Sequence, residues 1–455
     1  MTWIEVTSLA SRDVECGGIR CLVIRSLRAT FSISSRQPVG IAVETSKLNQ
    51  LNRDAFDAPV RKASVTSDIW SSPSARRPPW QGTDPVPAPA CPLKRGTITR
   101  APIGHHGSGT TERKDEPVLP AEYDMLRHVW FPVARVEDVA ETGVFGANIL
   151  GEQLVVYRVG AVSTVAGAYC PHRGMTLSLG QLTQDCLECP YHGWRFAPGT
   201  GACTAVPSLP DRPPPPRSDL RVYPSTEAYG HVWAALETPE LDLPDLPEAR
   251  DPDWRFAHGG PTDLTCGLRQ ITENFRDMSH FAFVHRVSMG PNVQQVVDPY
   301  RVEHGGTELR WALDVDLGGT ALSGNSGLAG KQAFSFFVSV PMFATVRADF
   351  PGGGHSLVIQ FATPISADGL RVRHFWSIGI DSAVPELHGA DIAQMRQWEQ
   401  EIFDEDFVIL DKLRPIEAPL DSHSQAHTRS DKFSLEYRRA YLELVERYAT
   451  RRPAA

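Results

Sequence analysis

From about residue 121 the hydrophobic and polar positions fall into short alternating runs. Residues 129–133, 153–158 and 162–168 are rich in β-branched and aromatic side chains and are broken by Gly and acidic turns. A period of two in short runs predicts small strands. This all-β stretch continues to about residue 240, through the turn-rich PSLPDRPPPPRSD and a last strand over 230–236. Residues 240–265, with their LDLPDLPEARDPDW run, read as a Pro/Asp-rich connection. Helical spacing predicts a helix over 271–285. Longer runs then predict strands over 309–317, 334–340, 344–350, 356–363 and 371–380, and helices over 390–412 and 434–450. Strands flanked by helices without βαβ alternation indicate an α+β fold with an antiparallel sheet.

Residues 1–120 have a different texture. They lack sustained periodicity and carry clusters such as SSPSARRPPW and HHGSGTTERKDEP. One apolar stretch, 19–24, predicts a strand with no evident partner. The segment reads as a mostly disordered tail. Its Arg- and Ser-bearing start fits an organelle transit peptide, although Glu5, Asp13 and Glu15 run against that; an overextended start site fits as well. Charge divides the chain at the same place. Residues 1–120 carry 16 Lys+Arg against 11 Asp+Glu, and the remainder carries 29 against 43. An acidic body argues against nucleic acid as a partner, because phosphate binding needs a concentrated basic face. No run approaches the ~20 apolar residues that span a bilayer, so a cytoplasmic location is expected, with organelle import as the alternative.

Eight cysteines invite a disulfide reading, but the long chain carries no secretory signal. Four of them lie between 170 and 203, close to histidines. Cys170-Pro-His172 is followed by Cys189-Pro-Tyr-His192. Each half offers one thiolate and one imidazole on a loop that Pro and Gly let turn sharply. Two sulfurs and two nitrogens suit a tetrahedral zinc. They also suit a [2Fe–2S] cluster with cysteines on one iron and histidines on the other.

The wider pattern, AYCPHRGMTLSLGQ followed by LECPYHGWRF and GACTAVPS, closely resembles the Rieske domain of ring-hydroxylating oxygenases. The resemblance implies that Cys170 and Cys189 hold one iron of the cluster and that His172 and His192 hold the other. Rieske proteins with a disulfide carry an extra cysteine in each box; Met175 and Tyr191 occupy those places here. Cys186 and Cys203 read as ordinary thiols.

A second constellation is Asn274-Phe-Arg-Asp277-Met-Ser-His280-Phe-Ala-Phe-Val-His285. Asp277 and His280 are three apart and share a helix face. His280 and His285 are five apart, about 140° around an ideal helix, so both reach one metal only where the helix ends or bends. The stretch resembles the N-x2-D-x2-H-x4-H signature of Rieske oxygenase catalytic domains. By that resemblance His280 and His285 are ligands of a mononuclear Fe(II), completed by a downstream carboxylate in a facial triad with coordination sites open for O2.

Candidates for that carboxylate lie in EIFDEDFVILD, residues 401–411. On a helical wheel Phe403, Phe407, Leu410 and Leu413 form an apolar stripe. Asp406 falls inside it, and Glu405 points to the opposite side. A carboxylate on a core face needs compensation, by a metal or by a buried Arg. The family places its third ligand on a late helix with a Glu-Asp step, which selects Asp406. The same resemblance implies that Asp277 bridges cluster and iron between neighbouring subunits of a head-to-tail homotrimer.

The expected organisation is therefore a tail (1–120), a small all-β Rieske domain (121–245), and a helix-grip, START-like catalytic domain (246–455). The implied activity is that of a terminal oxygenase. It would hydroxylate or oxidatively demethylate an apolar or aromatic small molecule with O2. Electrons would come from NAD(P)H through a separate reductase, with or without a ferredoxin; no G-x-G-x-x-G follows a strand in this chain. The Asn-to-Asp spacing favours the monooxygenase or demethylase branch over cis-dihydroxylating dioxygenases. A Rieske electron-transfer or ligand-binding protein without oxygenase activity is the rival. Phe334, Phe336, Val338, Val340 and Met342 are expected on one face of a strand, as substrate wall or as plain core, joined by Phe281 and Phe283. The Gly-rich 315–332 reads as a hairpin loop or a lid.

Overall fold

In a computed structural model, the described residues are 119–183, 185–317, 331–349, 353–381 and 392–451, together with four short N-terminal strands. The chain divides into two units, Met1–Ile103 and Gly104–Ala455. In the first, β1 (Trp3–Ile4) pairs with β4 (Phe31–Ser32), and β2 (Ser11–Cys16) pairs with β3 (Ile19–Ile24), all antiparallel. The strand expected over 19–24 thus does have a partner, β2. The expectation of a disordered tail otherwise lies outside the described residues, as do residues 318–330 of the Gly-rich 315–332 read as a hairpin loop or a lid.

The second unit opens with helix α1 (Pro120–Leu126), strand β5 (Phe131–Arg135) and helix α2 (Val136–Thr142). Three small antiparallel sheets follow the alternation in the sequence. β6 (Val144–Ile149), β7 (Glu152–Val159) and β8 (Val162–Gly167) form a meander. β9 (Gln181–Leu182), β10 (Leu187–Glu188), β11 (Arg195–Phe196) and β12 (Cys203–Ala205) form the sheet that carries the cysteine loops. β13 (Ser225–Ala228) and β14 (His231–Ala234) pair back onto β5.

The remaining strands build one seven-stranded antiparallel sheet. They are β15 (Trp254–Leu264), β16 (Glu303–Gly305), β17 (Glu308–Asp316), β18 (Lys331–Ser339), β19 (Phe343–Asp349), β20 (His355–Pro364) and β21 (Val372–Asp381). Their spatial order is β15-β21-β20-β19-β18-β17-β16. β15 corrects the reading of 240–265 as connection alone. Its Gly259-Gly260-Pro261 step breaks the ladder with β21 and hides the period of two. Gly259 is required there: a Cβ would lie 1.9 Å from the Trp376 ring.

Both faces of the sheet centre are covered, so β20 and β21 are buried almost throughout. On one face Val358, Trp376, Ile378 and Ile380 pack against Met395 and Phe403 of the long helix α5 (Ile392–Leu410). On the other, Trp233 of β14 meets Phe361 edge to face, with ring centroids 4.9 Å apart. The last helix, α6 (Lys432–Arg451), buries Phe433, Tyr437, Ala440, Tyr441, Leu444, Val445 and Tyr448. This spacing of three and four is one helical face, and each large apolar side chain buried there stabilises by about 1.5–3 kcal/mol.

Helical spacing over 271–285 resolves into two pieces, α3 (Leu268–Asn274) and the single turn α4 (Phe281–Val284). Buried ion pairs anchor α3. The Arg438 guanidinium of α6 holds Glu273 with two bonds of 2.6 and 2.7 Å. Arg269 donates to Glu122 of α1, which also accepts the Tyr441 hydroxyl at 2.7 Å. These contacts fix the element from which the second constellation departs.

Candidate metal centres

The two cysteine loops share one design. Cys170 takes a backbone bond from Gly174 and gives one to Met175; Cys189 takes one from Gly193 and gives one to Trp194. Gly174 and Gly193 close the turns at φ 67° and 69°, a region that only glycine enters without strain. Both cysteines are buried, whereas His192 is exposed and His172 half-buried. The imidazoles lie 4.5 Å apart between centroids, and His172 stacks on Trp194 at 4.6 Å.

Burial, followed by the neighbouring Cys189, pushes the Cys170 thiol up to about 11. Two adjacent buried thiols become thiolates only beside a cation, which suits metal ligation. His172 Nδ1 is buried with no hydrogen-bond partner, as an unmet ligand atom would be. Cys170, Cys186, Cys189, Cys203 and Cys266 are all unpaired thiols. Among the described residues only His280, His285 and Asp406 bring three ligand atoms within 4.8 Å of one another. The cysteine loops are therefore spread more widely than one tetrahedral ion needs, and a two-metal cluster fits them better than zinc.

That trio is the second centre. His280 precedes α4 and His285 ends it, so the break after α3 brings both rings to one point. His280 Nε2 lies 3.1 Å from His285 Nε2, and Asp406 Oδ1 lies 3.3 and 3.5 Å from the two nitrogens. Asp406 is 3% exposed on the sheet-facing side of α5, where the helical wheel sets it. The Asn274 amide donates to its Oδ1 at 3.3 Å.

Each imidazole has a carboxylate at its far nitrogen. Asp277 Oδ2 stands 3.4 Å from His280 Nδ1, and its Oδ1 accepts from the Ser279 backbone N–H at 2.8 Å. Glu405 Oε2 accepts from His285 Nδ1 at 2.9 Å and from the Ser288 hydroxyl at 2.7 Å. This arrangement favours Nδ1–H tautomers and leaves both Nε2 lone pairs facing the shared point. Glu405 is a correction: it does not point away from the centre. Its longer side chain reaches round the edge of α5 to the loop after α4.

Burial opposes a charge on His280, but hydrogen bonds to Asp277 and Asp406 outweigh it and push its pKa up to about 9. Burial and the nearby His280 hold His285 below its ordinary value. A site whose carboxylates favour a proton between two imidazoles favours a divalent cation there more strongly. Two histidines and one carboxylate converging from one side match a non-haem Fe(II) triad.

The trio opens onto a cavity walled by Phe275, Phe281, Phe334, Phe336, Val358 and Ile378. Phe334 and Phe336 line it as expected. Val338, Val340 and Met342 do not; they sit in the adjoining core. Phe283 is 56% exposed and faces away.

A Rieske-like loop pair and a two-histidine, one-carboxylate centre in a helix-gripped antiparallel sheet define an iron-dependent oxygenase architecture. Comparison with known proteins agrees. Residues 129–224 match the Rieske [2Fe-2S] domain, and residues 264–447 match the Vanillate O-demethylase oxygenase C-terminal domain. The methylxanthine N1-demethylase NdmA of Pseudomonas putida is 27% identical over 342 residues, 73% of this chain and 93% of that one. The vanillate O-demethylase oxygenase subunit of a Pseudomonas strain is 30% identical over 292 residues, 58% and 85% of the two chains. The solved structure of Pseudomonas putida NdmA with caffeine aligns with a TM-score of 0.62 at 26% identity, covering 72% of this chain and 93% of that one. The chain belongs to the Rieske non-haem iron terminal oxygenases. It is an oxidoreductase that uses O2, a [2Fe–2S] cluster and a mononuclear iron. No helix among the described residues is long and apolar enough to cross a membrane.

Proposed function

We propose that this chain hydroxylates or oxidatively demethylates an aromatic small molecule, with Cys170, His172, Cys189 and His192 holding the cluster and His280, His285 and Asp406 holding the iron. The observation that carries this reading is the triangle of ligand atoms with edges of 3.1, 3.3 and 3.5 Å, opening onto an apolar cavity. In this reading residues 121–245 are the electron-transfer domain, and residues 246–455 are the catalytic domain. When bound, the ferrous ion supplies oxygen activation, fed with single electrons through the cluster. The chain's own residues do the rest. Asp277 and Glu405 hold the Nδ1 protons of His280 and His285, Asn274 steadies Asp406, and the phenylalanine wall excludes water from the reacting group.

Electrons come from NAD(P)H through a separate reductase, with or without a ferredoxin, in the cytoplasm. The working assembly is a head-to-tail homotrimer in which Asp277 also reaches His192 of the partner subunit. Exposed apolar side chains at both ends support such a contact: Phe283 and Val287 (86% exposed) beside the iron centre, and Leu179 and Tyr191 beside the cluster. Reduced protein should give a rhombic cluster signal by electron paramagnetic resonance and hold about three iron ions per chain; a protein holding only zinc would sink the reading. Asp277→Ala should keep both metals and lose turnover, and full activity in that variant would remove the bridging role.

A further inference from the structure

The cavity above the iron centre has a polar end that the metal chemistry does not use. Glu399 lies seven residues before Asp406 on α5, hence on the same face, and about 10 Å further along at 1.5 Å per residue. It lines the cavity and is 5% exposed. No hydrogen bond or ion pair among the described residues engages its carboxyl. Beside it Trp398 also lines the cavity, and its buried indole N–H has no acceptor. Buried polar groups are almost always paired; two neighbours facing one cavity without partners mark the place of a ligand group. Burial, with Asp406 second, pushes the Glu399 carboxyl up to about 8, so near neutral pH it is an O–H donor beside an N–H donor.

Charge narrows the ligand further. Among the described residues no Lys or Arg lines the cavity. Arg276 does not line it: its guanidinium is buried behind Phe275, the carbon 3.5 Å from that ring's centroid, and its nitrogens have no hydrogen-bond partner among the described residues. At the Glu399 end an aromatic carboxylate would bring a second acid with no Lys or Arg among the described residues lining the cavity to meet it, and an unpaired buried charge is costly.

We propose that Trp398 and Glu399 form the polar end of the substrate site and bind the carbonyl or ring nitrogen of an uncharged aromatic substrate, and that the site rejects aromatic carboxylates. This rests on the oxygenase reading, which supplies the other end of the substrate. The spacing along α5 suits one or two fused rings between the polar end and the iron.

The test is calorimetric titration of the iron-loaded full chain without O2, using matched probes: para-methoxybenzamide against para-methoxybenzoate, and N-methylpyridone against its ring carboxylate. Each neutral probe should bind at least about tenfold more tightly than its anion. Glu399→Ala should weaken the neutral probes about five- to tenfold, and Glu399→Gln, which keeps a donor, should retain them. Glu399→Arg should turn the preference toward the carboxylates. Carboxylates that bind as well as their neutral partners, neutral probes that do not bind, or a Glu399→Ala variant that binds unchanged would each overturn the proposal. Formaldehyde release on adding reductant and O2 separates the two readings. Selective binding without turnover counts against the oxygenase alone; equal turnover of both charge types counts against the polar end alone.

Discussion

Glu405 supports the iron centre without touching the shared point, so its removal tests whether His285 is oriented from behind. In Glu405→Ala three contacts disappear: His285 Nδ1 at 2.9 Å, the Ser288 hydroxyl at 2.7 Å and the Ser288 backbone N–H at 3.2 Å. His285 is 1% exposed, so water does not readily replace the lost acceptor. An unsatisfied buried donor costs about 1–3 kcal/mol. The cost falls on the ligating form, because the proton can move to Nε2 and remove the lone pair aimed at the metal. Loss of such a support lowers metal affinity about 10–100-fold, which is about 1.4–2.7 kcal/mol. The two estimates agree. Iron release to a ferrous chelator measures the loss, and the visible absorbance of the Rieske cluster serves as an internal control. Glu405→Gln keeps a carbonyl acceptor for His285 and should lose much less. An alanine variant that holds iron as tightly as the parent, with its cluster intact, would refute the reasoning. Equal losses in both variants would mean that charge, rather than orientation, is what Glu405 supplies.

Three further outcomes follow from the fold. Arg438→Met should destabilise by about 3–5 kcal/mol, because it leaves the Glu273 carboxylate buried without its ion-pair partner; an unchanged denaturant midpoint would contradict this. Gly259→Ala should cost about 1–3 kcal/mol or prevent accumulation, since its Cβ meets Trp376; thermal melting reads the difference. Burial first, and for His231 the neighbouring His258 next, lower His231 and His374 from 6.5 to about 3. The unfolded chain therefore takes up protons at these positions before the folded chain does, and the stability they contribute is complete above 6.5 and lost as pH falls toward 3. The urea midpoint should drop between pH 7 and 5, and His374→Phe should flatten that slope; an identical slope would exclude His374 as a source.

The sequence disclosed the centres unevenly, and the reason is how far apart each residue's partners lie. Cys170, His172, Cys189 and His192, the proposed cluster ligands, could be singled out because each pair sits on one tight turn, and the turn leaves its own Pro and Gly marks. Asp277 and His280 were legible as neighbours three apart. Asp406 was legible because an acid inside an apolar stripe demands an explanation. β15 was not: Gly259-Gly260-Pro261 interrupts its alternation, and its strand character depends on pairing with β21, more than a hundred residues later.

Glu405 was hidden for a related reason. A helical wheel assigns faces by backbone angle alone, whereas a glutamate at the edge of a face has the reach to serve a loop that packs there only in the folded chain. The two iron-centre histidines thus have supports of the same chemistry and opposite visibility. Asp277 comes from the same turn as His280, and Glu405 comes from 120 residues beyond His285. That separation has a mechanical consequence. The local support stays with its ligand whenever α4 moves, whereas the distant one requires α5 to be docked on the sheet. Asp406 is on α5 as well, so under the proposed ligand set docking of one helix delivers the third ligand and the orientation of the second together. Assembly of the iron centre is therefore coupled to closure of the sheet–helix core, and the Rieske loops, built from local turns, are free of that requirement.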